Sequence, residues 1–140
     1  MIPEKRKSID LLVEEFWRKG YLTISRKFGT YLPEPNEIGG FEVDVVARQK
    51  KDYALGITLS PDDLNNPEIL SRISYLATRQ SRYTSNRVKL FIGIPIEYLT
   101  AAKERFKSLS PEVSANIKIV AIVERKKEIP SLRERRNLFS

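Results

Sequence analysis

The chain has 140 residues and a formal net charge of +7, from 25 Lys and Arg against 18 Asp and Glu. It contains no Cys and no His, which excludes disulfides, thiolate zinc sites, histidine metal ligands and Ser-His-Asp triads. The length fits one domain with a sizeable core. No apolar run approaches the roughly 18 residues of a membrane-spanning helix, and the opening residues MIPEKRK lack a signal-peptide core. We therefore expect a soluble, cytoplasmic protein.

The first part of the chain predicts a helix, a short strand and a loop. Ser8 is placed to cap a helix, and the apolar residues that follow it recur at helical spacing. Gly20 is a natural end for this helix. A strand is predicted over 21–25 and a loop with two prolines over 27–39. We expect Trp17, near the end of the helix, to lie in the core.

Residues 41–59 predict a β-hairpin. Apolar and β-branched residues dominate both arms, and a polar run at 48–52 separates them. Because side chains alternate between the faces of a strand, Asp44 shares a face with Glu42 and Val46. A carboxylate in such a strand costs desolvation free energy unless something pairs with it. From this pattern alone Asp44 either meets water or a basic partner, or it has a chemical function.

Four further elements complete the order αβββαβαβ. A helix fits residues 67–83, a buried type of strand 87–94, a helix 96–108 and a last strand 117–123. Strand–helix–strand passages of this length favour parallel pairing with right-handed crossovers. The predicted fold class is therefore α/β with a central mixed sheet, with Asp44 near the edge of a shallow cleft.

This order of elements, together with the hairpin, resembles the PD-(D/E)XK superfamily of restriction-endonuclease-like nucleases, and within it the archaeal Holliday-junction resolvases. The stretch 40–47, GFEVDVVA, fits the family pattern Gly-x-x-x-Asp-(Ile/Val)-(Ile/Val)-Ala. Asp44 then takes the position of a metal-binding aspartate. The resemblance covers roughly residues 8–94 and implies a three-layer sandwich around the sheet.

The second half of the family motif is missing from this chain. The third strand of the family carries Glu-x-Lys, whereas the aligned residues here are Gly56, Ile57 and Thr58. In the family two carboxylates and a backbone carbonyl hold Mg²⁺ or Mn²⁺, and the lysine lies near the nucleophile. Losing one preorganised electrostatic group typically costs about 10²–10³ in rate. The resemblance therefore implies a catalytically impaired nuclease-like protein, with Asp44 as the remnant of its site.

A rearranged active site is the alternative. The resemblance allows the missing carboxylate to come from a neighbouring element, and a helix-borne Glu often helps in the resolvases; the candidates are Glu14, Glu15, Glu42, Asp62, Asp63 and Glu68. For Asp62 and Asp63 the other interpretation is that they begin a helix, because SPDD at 60–63 is typical of a capped helix start. An active site around Asp44 would make the chain a Mg²⁺- or Mn²⁺-dependent DNA endonuclease. A third interpretation is an assembly protein that uses the fold as a scaffold.

Charge divides the chain into three parts. Residues 1–7 carry three basic residues and one acidic residue, and residues 124–140 carry six basic and three acidic residues. We predict a basic N-terminal arm at 1–7, a nuclease-like domain at 8–123 and a basic C-terminal tail at 124–140. The resemblance leaves a homodimer, or a non-catalytic subunit of a larger DNA-processing complex, open as the assembly.

The predicted helix at 67–83 and the strand after it carry a basic ridge. Residues 69–90 contain no acidic residue. At 100° per residue its arginines lie within about 80° of one another on the helix and flank its apolar stripe. Arginine forks match phosphate oxygens, so we predict DNA or RNA binding by this ridge, which consists of Arg72, Arg79, Arg82, Arg87 and Lys89. The other interpretation is a solvated face that keeps a basic protein soluble.

Overall fold

The computed structural model of the chain describes residues 4–80 and 87–123, so that Arg82 of the predicted ridge and the predicted tail 124–140 lie outside the described residues. None of the described helices is long and apolar enough to cross a membrane. The elements, in chain order, are α1 (Lys5–Arg18), β1 (Leu22–Arg26), β2 (Val45–Gln49), β3 (Asp52–Thr58), α2 (Pro61–Asn65), α3 (Ile69–Ala77), β4 (Lys89–Pro95), a 3₁₀ turn (Ile96–Tyr98), α4 (Leu99–Phe106), α5 (Pro111–Ala115) and β5 (Ile117–Ile122).

The five strands form one mixed sheet in the order β1-β2-β3-β4-β5. β1 pairs antiparallel with β2, and β2 with β3, whereas β3 pairs parallel with β4, and β4 with β5. The parallel pairs are those joined through helices, because a parallel connection must cross over the sheet. The predicted α/β class with a mixed sheet is confirmed.

The hairpin β2–β3 is tighter than the sequence predicts. Gln49 pairs with Asp52, so the turn contains two residues and Arg48 belongs to the strand. Lys50, in the turn, has a φ of 56°. A two-residue hairpin turn favours positive φ because its twist then matches that of the strands. The separator predicted at 48–52 is therefore wrong in length, although the hairpin itself is present.

The first arm of the hairpin begins at Val45, not at Phe41 as predicted. Ile38 and Phe41 exchange two backbone hydrogen bonds of 2.9 and 3.0 Å, and the two glycines between them adopt positive φ. A Cβ at Gly39 would lie 2.3 Å from the ring of Tyr75, so only glycine fits there. This turn keeps 41–44 out of the strand. The prediction that Asp44 shares a strand face with Glu42 and Val46 is therefore wrong, because Asp44 lies before the first residue of β2.

Helix α1 covers one face of the sheet. Its residues Ile9, Leu12 and Phe16 are fully buried and contact a cluster formed by Tyr21, Val45, Ala47, Ala54 and Phe91. The helix begins at Lys5, because Glu4 is the extended cap residue and Ser8, predicted to cap the helix, is buried within it. Trp17 is 72% exposed, so its predicted place in the core is wrong. It follows Phe16 by one residue and therefore points about 100° away from the core.

The other helices cover the opposite face, where the larger part of the core lies. The helix predicted at 67–83 is present as the shorter α3, and α2 is an additional helix that lies before the predicted range. Ser60 and Asp63 form a reciprocal capping box that starts α2, as the helix-start interpretation predicts. α3 ends at Ala77, and the Thr78 hydroxyl donates to the carbonyls of Ser74 and Tyr75. Arg79 of the predicted ridge therefore lies beyond the helix.

Candidate functional site around Asp44

The hairpin places Asp44 beside the end of β3. The Asp44 N–H donates to the Gly56 carbonyl at 2.9 Å, although Gly56 already pairs with Val45, so Asp44 and Val45 both lie opposite Gly56 and the regular pairing of the strands ends there. The Asp44 side chain is fully buried, and its Oδ2 accepts hydrogen bonds from the Thr58 N–H at 2.7 Å and the Thr58 hydroxyl at 2.9 Å. The sequence predicts Asp44 near the edge of a shallow cleft. This prediction is wrong, because the carboxylate lies inside the protein.

A lysine from the start of α1 reaches the same carboxylate. The Lys5 Nζ lies 3.2 Å from Asp44 Oδ2 and donates to the Thr58 carbonyl at 3.1 Å. Sequence reasoning assigned residue 5 to the N-terminal arm and missed it. A signal was available, because Lys5, Ile9 and Leu12 follow the i, i+4, i+7 spacing of one helix face. The α1 face that packs on the sheet therefore begins at Lys5, whose side chain is itself 42% exposed.

A second lysine and a second carboxylate complete the cluster. Lys27 lies 3.7 Å from Asp44 Oδ1, and it donates a hydrogen bond to Glu42. This hydrogen bond and the Lys27 charge lower the pKa of Glu42 below its ordinary value of 4.5. Burial by itself lowers the pKa of Lys27, but the hydrogen bond to Glu42 and the charges of Asp44 and Glu42 outweigh it and raise the pKa overall. Asp44 Oδ1 is buried without a hydrogen-bond partner.

The structure brings Asp44, Glu42 and Thr58 together, but it places the other predicted carboxylates elsewhere. Glu14 and Glu15 pair with Arg18 along α1. Asp63 is occupied in the cap of α2, Asp62 is exposed in the first turn of that helix, and Glu68 is exposed at the start of α3. Over 4–80 and 87–123, no group of three or more acidic side chains is arranged to hold a metal ion.

Gly56, where the resemblance to the nucleases leads one to expect a carboxylate, is closed by helix α1. A Cβ at Gly56 would lie 2.9 Å from a methyl carbon of Leu12, 2.9 Å from a ring carbon of Phe16 and 3.2 Å from the Cβ of Val45. Contacts under 3.0 Å require a neighbour to move. A glutamate at residue 56 would therefore have to enter the packed interface between α1 and the sheet.

A divalent metal ion does not fit this arrangement. Mg²⁺ needs several oxygen ligands and usually keeps part of its water shell. Asp44 Oδ2 is already bound by Thr58 and Lys5, and two ammonium groups lie within 4 Å of the carboxylate. An added cation would be repelled by both ammonium groups. What the arrangement does chemically is neutralise a buried carboxylate.

The basic ridge divides into compensated and uncompensated charges. Arg72 donates to the Glu42 carbonyl at 2.9 Å. Arg79 donates to the Tyr75 carbonyl at 2.9 Å, with its guanidinium carbon 3.8 Å from the centre of the Tyr75 ring. Carbonyls and rings carry no net charge, so both arginines keep theirs, whereas Arg87 is paired with Glu112. Lys89 is exposed. The bond from Arg72 to Glu42 also connects the ridge to the Asp44 cluster.

Comparisons of the chain with protein-family models, with curated proteins and with solved structures find no match. The resemblance to the PD-(D/E)XK nucleases therefore depends on the stretch 40–47, on the hairpin and on the order of the elements.

Proposed function

We propose that the chain is a nucleic-acid-binding protein with a PD-(D/E)XK-type three-layer sandwich and a catalytically impaired site, serving as a non-catalytic subunit of a DNA-processing complex. The observation that carries the proposal is the closed environment of Asp44. Its carboxylate is fully buried, it accepts two hydrogen bonds from Thr58, and the Lys5 ammonium lies 3.2 Å away.

Hydrolysis of a phosphodiester needs stabilisation of both the attacking and the leaving oxygen. In the family two carboxylates and a lysine supply it around a metal ion. Here the second carboxylate position is Gly56, which is closed by Leu12 and Phe16, and the lysine position is Thr58, which holds Asp44. Since each lost group typically costs about 10²–10³ in rate, the two losses together leave very little activity.

The net charge of the chain and the location of two arginines support the binding of nucleic acid. The chain has a net charge of +7. Within the described residues, Arg72 and Arg79 bond to carbonyls and a ring instead of to carboxylates, so their charge remains available to phosphate oxygens. Arg72 also contacts the segment that carries Asp44. A phosphate backbone lying on the ridge would therefore run past the site at which a nuclease of this fold would cut.

One observation favours the alternative, an active metal-dependent DNA endonuclease with a rearranged site. Lys5 brings an ammonium group to Asp44 from α1, and so replaces the charge that the third strand lacks. Glu42 is the predicted carboxylate that shares a lysine partner with Asp44, and it is engaged with that lysine, Lys27. This alternative therefore requires Glu42 to leave Lys27 before it can hold Mg²⁺ or Mn²⁺ together with Asp44.

Binding and cleavage can be measured on the same substrates. We expect fluorescently labelled branched, single-stranded and double-stranded DNA, and RNA, to bind the wild type without being cleaved in Mg²⁺ or Mn²⁺. Asp44→Asn, which preserves an acceptor for Thr58, should then behave like the wild type. Robust cleavage by the wild type that disappears in Asp44→Asn would favour the rearranged site. Absence of binding to every substrate at low salt would contradict the proposal itself.

A further inference from the structure

We infer that the Lys5 ammonium group is a resident cation, which occupies a position lined by oxygen atoms and thereby excludes a divalent ion. Its two partners are a carboxylate oxygen of Asp44 at 3.2 Å and the backbone carbonyl of Thr58 at 3.1 Å. Carboxylate and carbonyl oxygens are also the donors that Mg²⁺ and Mn²⁺ take from proteins. Removing the ammonium group should therefore convert this position into a site for a divalent cation.

The burial of Asp44 makes a cation obligatory. A fully buried carboxylate without a compensating charge is strongly destabilising. In the part of the chain that the structure describes, Lys27 is the other ammonium group near the carboxylate, but it lies 3.7 Å from Oδ1 and is hydrogen-bonded to Glu42. Lys5 is closer to the carboxylate and has no second carboxylate partner among the described residues. It is therefore the principal counterion of Asp44.

The surroundings retain oxygen donors that Lys5 does not use. Asp44 Oδ1 is buried and has no hydrogen-bond partner, and the Glu42 side chain is 62% exposed, so that it is free to rotate once Lys27 releases it. With Lys5 removed, the Oδ2 atom of Asp44 and the Thr58 carbonyl would lose the ammonium group that bonds them, while Lys27 would remain 3.7 Å from Oδ1 on the other side of the carboxylate. This set of oxygen atoms suits a hard divalent ion that keeps several waters.

The fold allows Lys5 to be removed without losing the helix that carries it. The Lys5 side chain is 42% exposed, so its removal opens the position to water. Helix α1 is held on the sheet by Ile9, Leu12 and Phe16, which are fully buried. A variant without the ammonium group should therefore keep α1 in place and admit an ion from solvent.

The test uses Mn²⁺ alone as the probe. Lys5→Met keeps the length of the side chain and removes its charge, and Arg6→Ala removes one exposed charge from the same helical turn as a matched control. Binding is measured by the loss of the free Mn²⁺ electron paramagnetic resonance signal, and stability by thermal unfolding with and without Mn²⁺. We expect Lys5→Met to bind Mn²⁺ at least about tenfold more tightly than the wild type or Arg6→Ala.

Mn²⁺ should raise the unfolding temperature of Lys5→Met, by mass action on the folded state, and leave that of the wild type unchanged. Adding Asp44→Asn to Lys5→Met should abolish both effects. Equal Mn²⁺ affinity of wild type and Lys5→Met overturns the inference. If Lys5→Met is unfolded without metal, recovery of folding in Mn²⁺ supports the inference, and failure to recover overturns it.

This inference concerns the same site as the proposed function and gives a physical reason for its impaired chemistry. Its measurements are metal affinity and stability, whereas the proposed function is tested by binding of nucleic acid. The two can therefore fail separately.

Discussion

Asp44 is neutralised by residues that are far apart in the sequence. Lys5 begins a helix, Lys27 follows β1 and Thr58 ends β3, yet all three lie within 4 Å of one carboxylate. The sequence singles out Asp44, because a lone carboxylate among apolar residues needs a partner. It does not identify the partners, because they meet only when α1 docks on the sheet. One interpretation of the hairpin is that Asp44 meets a basic partner, and the structure supplies two such partners, Lys5 and Lys27.

The pair of Glu42 and Lys27 makes a testable contribution to stability that depends on pH. The folded state lowers the pKa of Glu42, so its contribution is present above the unfolded value of about 4.5 and is lost as pH falls through the folded value. Because Glu42 is 62% exposed, the pair should contribute no more than about 1 kcal/mol. Glu42→Gln should lower the free energy of unfolding at pH 7 by up to that amount in low salt.

Urea denaturation at pH 7 and at about pH 3.5 separates this contribution from a change in packing. The difference between wild type and Glu42→Gln should be smaller at the lower pH, because unfolded Glu42 is protonated below about pH 4.5 whereas the lowered pKa delays protonation of the folded carboxylate. High salt should reduce the difference at pH 7. A difference that is the same at both pH values would show that the charge of Glu42 is not its cause.

Helix α1 and strand β3 are matched to each other at Gly56. The absence of a side chain there lets Leu12 and Phe16 approach the strand closely. Gly56→Ala should lower the free energy of unfolding by about 1–3 kcal/mol, because the added methyl group overpacks this interface. Gly56→Glu with Thr58→Lys, which introduces the Glu-x-Lys motif of the PD-(D/E)XK nucleases, should fail to fold instead of gaining nuclease activity. Chemical denaturation and circular dichroism measure both outcomes.

A double-mutant cycle identifies the contact responsible. Phe16→Leu removes ring atoms that lie against Gly56, so Gly56→Ala should cost less in that background than in the wild type. If the two substitutions were additive, the overpacking would have to come from another neighbour.

At the level of elements, strand alternation and helical periodicity predict which strands and helices occur. The residues at which the helices begin and end are predicted less well. The alternation predicted for β3 is confirmed. Ala54 faces the cluster under helix α1, whereas Leu55 and Ile57 lie in the larger core on the opposite face of the sheet. Ser8 is a good cap in isolation, but α1 begins at Lys5 with Glu4 as its extended cap residue, and Ser8 is buried within the helix. The helix predicted at 67–83 is present as α3 but ends at Ala77, since periodicity alone does not show where a helix ends.

Across the whole molecule, the uncompensated part of the basic ridge adjoins the segment that carries Asp44. Arg72 joins the two through the Glu42 carbonyl, and Arg79 is held against Tyr75, whose ring packs on Phe41. The sequence placed these arginines on one helix face, which is wrong for Arg79. Their availability to a phosphate follows instead from what they contact, and contacts of this kind cannot be read from residue spacing.

The ridge can be tested through the salt dependence of binding. Arg79→Ala combined with Lys89→Ala should weaken binding of a duplex and make the slope of log K against log salt shallower by roughly two, because two phosphate contacts no longer release counterions. Arg87→Ala should have a smaller effect, because Glu112 already neutralises Arg87.

The matched control is Arg105→Ala. Arg105 also donates to backbone carbonyls, those of Leu64 and Asn66, but it lies outside residues 69–90. Fluorescence anisotropy titrations at several salt concentrations give both affinity and slope. If Arg105→Ala flattened the slope as much as the double variant, binding would depend on overall charge and the ridge would not be the surface that contacts nucleic acid.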